Sequence, residues 1–270
     1  MPELPEVETT RRGLEPVLLN QRIRTAIVRN RALREPVPRQ LPQRVAGTTI
    51  RAITRRGKYL LIDCGRGTLI VHLGMSGRLW LVDAQVAAGT HDHFDLILEN
   101  RTAMRFRDPR RFGLVLWQTD PLAHAPLADL GPEPLDPGFD GLCLYRATRN
   151  RAAAIKQVLM DGRVLAGVGN IYANEALFRA RINPKWSAAR ISVERYEKLA
   201  AAIRETLLDA IRAGGSTLRD YVGSDGRAGY FQKEFRVYGR GGQPCEACGT
   251  PIRELRQGQR STFYCPRCQR

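Results

Sequence analysis

The chain has 270 residues, 43% hydrophobic and 26% charged, enough for a substantial core in two domains or in one with a small appendage. No apolar run approaches the length of a membrane span, which excludes a membrane-spanning helix. Lysine and arginine number 43 against 27 aspartates and glutamates, a net charge of +16 that calls for a polyanionic partner, since basic side chains that displace condensed counterions gain binding free energy. Charge alone does not separate DNA, RNA, ribosome and membrane surface.

The chain opens on Met1-Pro2-Glu3-Leu4-Pro5-Glu6-Val7-Glu8, acidic and broken by prolines. A secretory signal needs a basic start and then an apolar stretch, so the expected location is the cytoplasm. Residues 6–19 predict a helix, with Pro5 and Glu6 suited to its first turn and Val7, Leu14, Val17 and Leu18 on one face. Eight short runs rich in aliphatic and aromatic residues then predict strands: 22–28, 48–54, 59–63, 68–72, 78–82, 94–99, 103–107 and 113–118. Turn-forming glycines separate many of them, and strands at this spacing suggest a β-sandwich. Residues 119–141, with prolines at 121, 126, 132, 134 and 137, mark a linker. Residues 142–213 read as helical. The clearest stretch is Ser192–Ala213, where Val193, Tyr196, Ala200, Ile203, Leu207 and Ala210 step by three and four, Ser192 caps the start and Gly214 ends it. Residues 231–270 read as a small separate module.

That module carries Cys245-x2-Cys248, sixteen residues, then Cys265-x2-Cys268. Each Cys-x2-Cys turn aims two thiolates at one point, and two turns complete a tetrahedron, so one Zn(2+) is expected. Four sulfur ligands leave no position for water, which makes the zinc structural. Turn residues between the pairs suit a β-hairpin, and Arg253, Arg256, Arg260, Arg267 and Arg270 around it suit a phosphate backbone. Such a module also fits non-enzymatic zinc-ribbon proteins that bind DNA or belong to ribosomes.

The N-terminus separates these readings. With Met1 removed, Pro2 offers a secondary amine, and an α-amino group with a pKa of about 8 is far more often neutral at pH 7 than a lysine. Such an amine can attack a sugar carbon and form an iminium, and adjacent carboxylates can move the protons. A plain terminus with a helix-capping Pro5-Glu6 fits the same residues.

A resemblance decides between them. The N-terminus, Arg55-Arg56-Gly57-Lys58-Tyr59, His72-Leu73-Gly74-Met75-Ser76-Gly77, His91-Asp92-His93, Asp108-Pro109-Arg110-Arg111-Phe112-Gly113, Gly167-Val168-Gly169-Asn170-Ile171-Tyr172-Ala173-Asn174-Glu175, Ser224-Asp225-Gly226, Gly229-Tyr230-Phe231 and the terminal cysteines together resemble, in order, the formamidopyrimidine-DNA glycosylase family. The match spans essentially the whole chain, and the loop Ser216–Gly229 follows it only in part. The resemblance implies an α+β multidomain fold: an N-terminal catalytic β-sandwich over 1–130, a helix–two-turn–helix DNA-binding domain over 131–230 and a four-cysteine zinc finger over 231–270, with DNA in the cleft between the lobes.

It also implies a bifunctional glycosylase and abasic-site lyase of base excision repair, acting as a monomer on damaged double-stranded DNA. The family pattern makes Pro2 the nucleophile and Glu3 the proton donor, with Glu6 in the supporting hydrogen-bond network, and Lys58 and Arg260 assisting elimination and binding phosphate. Met75, Arg110 and Phe112 match its wedge, which fills the gap left when a stacked base is extruded. His91, Arg151, Lys156 and Asn170 match further DNA contacts, Asn170 at a helix N-terminus suited to phosphate. Endonuclease VIII, which prefers oxidised pyrimidines, is the closest alternative.

Overall fold

The computed structural model describes residues 1–215 and 235–270. The loop Ser216–Gly229 and the motifs at 224–226 and 229–231 therefore lie outside the described residues. Two compact units share the remainder: residues 1–128 with 213–215, and residues 129–212 with 235–270.

The first unit begins with α1 (Leu4–Leu18), two residues earlier than hydrophobic periodicity places it. The cause is a capping box. The Glu3 side chain accepts the amide of Glu6, and the Glu6 carboxylate accepts the Glu3 amide at 2.8 Å. Two amides that would be orphaned at a helix start are thereby satisfied. All eight expected strands form: β1 (Ile23–Val28), β2 (Ala52–Arg56), β3 (Tyr59–Asp63), β4 (Thr68–His72), β5 (Arg78–Asp83), β6 (Asp92–Leu98), β7 (Thr102–Arg107) and β8 (Leu114–Gln118). They make two antiparallel four-stranded sheets of order β1-β6-β7-β5 and β2-β3-β4-β8.

The second strand starts later than expected because residues 48–50 bond elsewhere, Thr48 and Ile50 exchanging backbone hydrogen bonds with residues 20–23. The five-residue α2 (Leu41–Val45) is too short to show a helical period in the sequence. Ile23, Phe94, Leu96, Met104 and Phe106 from one sheet and Ile53, Leu60, Ile62, Val71 and Val115 from the other share one core with Val7, Leu14 and Leu18 of α1. The helix that carries the N-terminus is thus fixed against the sandwich. A short helix α3 (Ala125–Ala128) interrupts the proline-rich linker.

In the second unit α4 (Gly141–Thr148) and α6 (Asn170–Arg179) pack on α7 (Val193–Arg212), with α5 (Ile155–Leu159) beside α6. The expected face of α7 is buried at Tyr196, Ala200, Ile203, Leu207 and Ala210, and Gly214 follows it with a left-handed φ of +80°. Gly141 is required by proximity, since a Cβ there would lie 2.2 Å from the backbone nitrogen of Glu197.

The cysteines flank a hairpin of β9 (Arg253–Gln257) and β10 (Arg260–Tyr264). Gly258 and Gln259 join the strands with φ of +53° and +60°, the left-handed pair of a two-residue type I′ turn. The terminal finger is docked on helices of its own unit. The Phe263 amide donates to Asn174 Oδ1 at 2.8 Å, and Gln269 Nε2 donates to the Ile182 carbonyl at 2.9 Å. The Glu175 carboxylate accepts the amides of Arg236, Val237 and Tyr238 at 2.8–3.0 Å. Among the described residues no helix is long and apolar enough to cross a membrane.

Candidate active site and nucleic-acid interface

Pro2 is buried, and the carboxylates of Glu3 and Glu6 are almost wholly enclosed, 2% and 1% exposed. Their reciprocal capping bonds hold two acids at the start of α1, directly after Pro2 in the chain. The partial positive charge of a helix start favours carboxylates there. The same pair that caps the helix therefore stands close in sequence to residue 2.

Lys58 sits in the turn between β2 and β3, after Gly57 with φ of +56°. Arg55 anchors that turn to α1: its Nη1 donates to the Gly57 carbonyl at 2.9 Å, and its Nε lies 3.4 Å from the Glu8 carboxylate. Burial pushes the Glu8 carboxyl up, but hydrogen bonds from Arg11 and Arg12 outweigh it and leave the group below its ordinary value. A fixed anion on α1 thus holds the strand turn that presents Lys58. Sequence reasoning passed over Arg55 and Glu8, because only the fold brings the strand turn to the helix.

His72 lies close by, its ring 4.7 Å from that of Tyr59 and its Nδ1 accepting the Gly74 amide at 2.9 Å. Burial, then the cations Arg34 and Lys58, push its pKa down to about 3. The folded state keeps this ring neutral while the unfolded chain protonates it near pH 6.5. Its contribution to stability is therefore whole above about 6.5 and lost progressively as pH falls towards 3. Denaturant unfolding between pH 7 and 5 should show the wild type losing stability more steeply than His72→Gln, which keeps an acceptor for Gly74 but cannot titrate. Parallel slopes would remove His72 as the source.

Met75, Arg110 and Phe112 meet in one loop cluster of the first unit, organised by a buried carboxylate. Asp108 is 0% exposed and accepts the Ser76 hydroxyl and the Gly113 amide, each at 2.7 Å. Ser76 Oγ in turn accepts the Arg110 amide at 3.2 Å. The His93 ring lies 2.9 Å from the Asp108 carbonyl oxygen, and the His91 carbonyl accepts the Asp108 amide. Gly74, with φ of +64°, is pressed so closely that a Cβ would lie 2.4 Å from the Phe112 carbonyl carbon. Around this knot His91, Arg110 and Phe112 are exposed and Met75 is half-buried. The Arg110 guanidinium stands 5.2 Å over the Phe112 ring. Ser76 and Asp108 were legible as motif residues, whereas their bond across 32 residues was not.

In the second unit Asn170 opens α6 after Gly167 and Gly169, and its Oδ1 is buried without a hydrogen-bond partner among the described residues. Arg151 is ion-paired with Asp161 at 2.8 Å and remains 40% exposed. Arg260 is exposed at the first position past the hairpin turn, placed by the turn geometry itself.

Lys156 departs from its expected role as a DNA contact. It is 0% exposed, and its ammonium donates to the Ser261 carbonyl at 2.9 Å and to Thr262 Oγ1 at 2.8 Å. A buried ammonium satisfied in this way holds β10 and, with it, Arg260. It positions an exposed residue of the hairpin and is not itself available to phosphate.

The four cysteine sulfurs lie within 4.8 Å of one another, Cys245 to Cys268 at 3.9 Å and Cys248 to Cys265 at 3.5 Å. Tetrahedral zinc with Zn–S bonds of about 2.3 Å requires sulfur separations of about 3.8 Å, so the donor set fits the ion. The site holds one structural zinc.

Comparison with known proteins agrees with this arrangement. The family model described as the formamidopyrimidine-DNA glycosylase N-terminal domain matches residues 1–115, that of the H2TH domain of the same family matches 130–222, and a zinc finger found in FPG and IleRS matches 242–270. The formamidopyrimidine-DNA glycosylase of Stutzerimonas stutzeri strain A1501 is 58% identical over the full length of both chains. The MutM (Fpg) crystal structure from Thermus thermophilus superposes with a TM-score of 0.89 at 41% identity, covering 99% of this chain and 98% of that one. A G226P mutant of Lactococcus lactis Fpg, crystallised with DNA containing Fapy-dG, superposes with a TM-score of 0.91 at 33% identity over all of both chains.

Proposed function

The chain belongs to the formamidopyrimidine-DNA glycosylase family, and on that premise we propose that it excises oxidised purines from duplex DNA and then cleaves the strand at the abasic site. The observation that carries the reading is the buried Pro2 beside the reciprocally bonded, buried Glu3 and Glu6. The Pro2 nitrogen, freed by removal of Met1, gives its lone pair to C1′ of the damaged nucleotide. The C1′–base bond breaks and its electron pair leaves with the base, which takes up the proton that the alkylated Pro2 nitrogen sheds. Glu3 protonates the sugar ring oxygen as the ring opens, and the nitrogen lone pair completes an iminium. Loss of a C2′ proton expels the 3′ phosphate, and loss of a C4′ proton then expels the 5′ phosphate. Lys58 and Arg260 assist these eliminations and hold phosphate.

The enzyme works as a monomer in the cytoplasm. His91, Arg151 and Asn170 contact the strand, while Met75, Arg110 and Phe112 fill the gap left by the extruded base. One assay tests the reaction class: equal duplexes carrying 8-oxoguanine, a formamidopyrimidine or thymine glycol. Faster release of thymine glycol than of either purine would transfer the chain to endonuclease VIII chemistry.

Arg110 adds specificity. Its backbone is fixed by Ser76, and its guanidinium offers a rigid array of donors that suits the acceptors on the pairing edge of cytosine better than those of adenine. A good base contact is worth about 1–3 kcal/mol, so 8-oxoguanine opposite cytosine should be excised on the order of tenfold or more faster than opposite adenine. Single-turnover excision from matched duplexes reads the ratio, and Arg110→Ala should flatten it. An unchanged ratio would take the orphaned base away from Arg110.

A further inference from the structure

A second basic site lies in the helical unit, at the cysteine end of the finger. A cavity of about 560 Å³ is lined there by Arg181, Arg195, Arg267 and Arg270 together with Cys248 and Cys268. Arg181 follows the C-terminal end of α6, whereas Asn170 opens its N-terminal end, so the ten residues between set them about 15 Å apart. Arg267 follows β10 at the zinc, whereas Arg260 begins β10 at the hairpin turn, and five residues of strand separate them by about 17 Å. Both elements therefore place this cavity well away from Asn170 and Arg260.

Among the described residues the charge of the cavity is not balanced. A zinc tetrathiolate carries two negative charges against the four guanidinium groups that line the cavity. Among the described residues none of the four pairs with a carboxylate side chain. The neighbouring acid, Glu246, is already taken by Arg236 and Arg240. One arginine is held in place: Arg195 donates to the Arg270 carbonyl at 2.9 Å and stands 4.5 Å over the Trp186 ring. Planar guanidinium groups fixed around a cavity suit bidentate capture of phosphate oxygens.

We propose that this cavity is a second phosphate-binding site, which grips nucleic-acid backbone beyond the segment held by Asn170 and Arg260. The inference rests on the reading of the chain as a DNA-binding enzyme. The site adds affinity for long DNA and leaves base removal on short DNA untouched.

The test is anisotropy of DNA binding against salt, using a central abasic analogue in duplexes of about 10 and about 40 base pairs, one and four helical turns. Each phosphate contact contributes about 0.9 to the slope of log affinity on log salt. On the long duplex Arg181→Gln/Arg195→Gln should lower the slope by about 1.8, the value for two lost contacts. On the short duplex the slope and the excision rate should stay at wild-type values. Zinc content of one per chain confirms an intact finger, and the exposed single substitution Arg181→Gln, expected to lower the slope by about 0.9, serves if the double variant loses metal. Inorganic pyrophosphate, titrated alone by calorimetry, reports whether the cavity takes a small anion. Equal slopes on long DNA would overturn the proposal, and pyrophosphate binding without a length effect would assign the cavity to a free phosphate compound instead. Wild-type protein that neither binds nor cleaves either duplex would defeat the underlying enzymatic reading.

Discussion

Borohydride added to the enzyme on lesion-bearing duplex should leave a covalent protein–DNA adduct at residue 2. A secondary amine attacking C1′ passes through an iminium, and hydride reduces that bond to a stable amine. Peptide mapping places the adduct, and a cross-link at Lys58 would displace Pro2 from its role. Pro2→Gly retains a primary α-amine but loses the ring that fixes its approach, so both base removal and strand cleavage should fall.

Met1 must be absent, because a peptide nitrogen has no basic lone pair; intact mass of the purified protein reads this directly. Glu3→Gln separates chemistry from folding. Glutamine keeps a carbonyl oxygen to accept the Glu6 amide, so the start of α1 survives while the acid is lost. Positioned acid–base groups contribute typically about 10²–10⁴ in rate. Base excision should slow within that range, and cleavage of a ready-made abasic site should slow less, since its sugar already opens to the free aldehyde without the acid. Equal losses on both substrates would remove Glu3 as the donor for the first step.

Cys248→Ser should abolish tight DNA binding and loosen the helical unit, while the β-sandwich unit keeps its fold. Zinc contributes about 10–16 kcal/mol to the folding of small four-ligand modules, as much as the whole stability of a typical domain, about 5–15 kcal/mol. Without it β10 is no longer held, and Arg260 loses its fixed place beyond the type I′ turn. The damage spreads because the finger is docked. Lys156 would keep a buried ammonium without the Ser261 and Thr262 acceptors, a state that costs several kcal/mol. Thermal unfolding should therefore show the helical unit destabilised and the sandwich transition unchanged. Lys156→Met offers the complementary case: zinc retained, the hairpin less firmly held, and DNA affinity reduced only through Arg260. Full affinity in zinc-free protein would refute the structural role of the metal.

The sequence by itself determined those features that depend on neighbours along the chain. Cys-x2-Cys pairs make a metal site through local turn geometry, and both pairs converge as their spacing implies. Short aliphatic and aromatic runs between turn residues marked all eight sandwich strands, and helical periodicity marked the buried face of α7, since each pattern is written within a few residues. The N-terminal motif likewise placed Glu6 on the first turn, while the cap that starts the helix at Leu4 is a contact over three residues between Glu3 and Glu6.

Tertiary structure alone decided which charged groups face solvent. Lys156 reads as a surface cation, but its acceptors lie 105 and 106 residues away on the hairpin. Glu175 reads as one more motif residue, yet it gathers three amides from 61 to 63 residues onward and so ties the finger to α6. Burying an ion is costly unless distant partners satisfy it. Whether they do is settled by how the helices, the hairpin and the loops pack, and spacing along the chain carries no record of that.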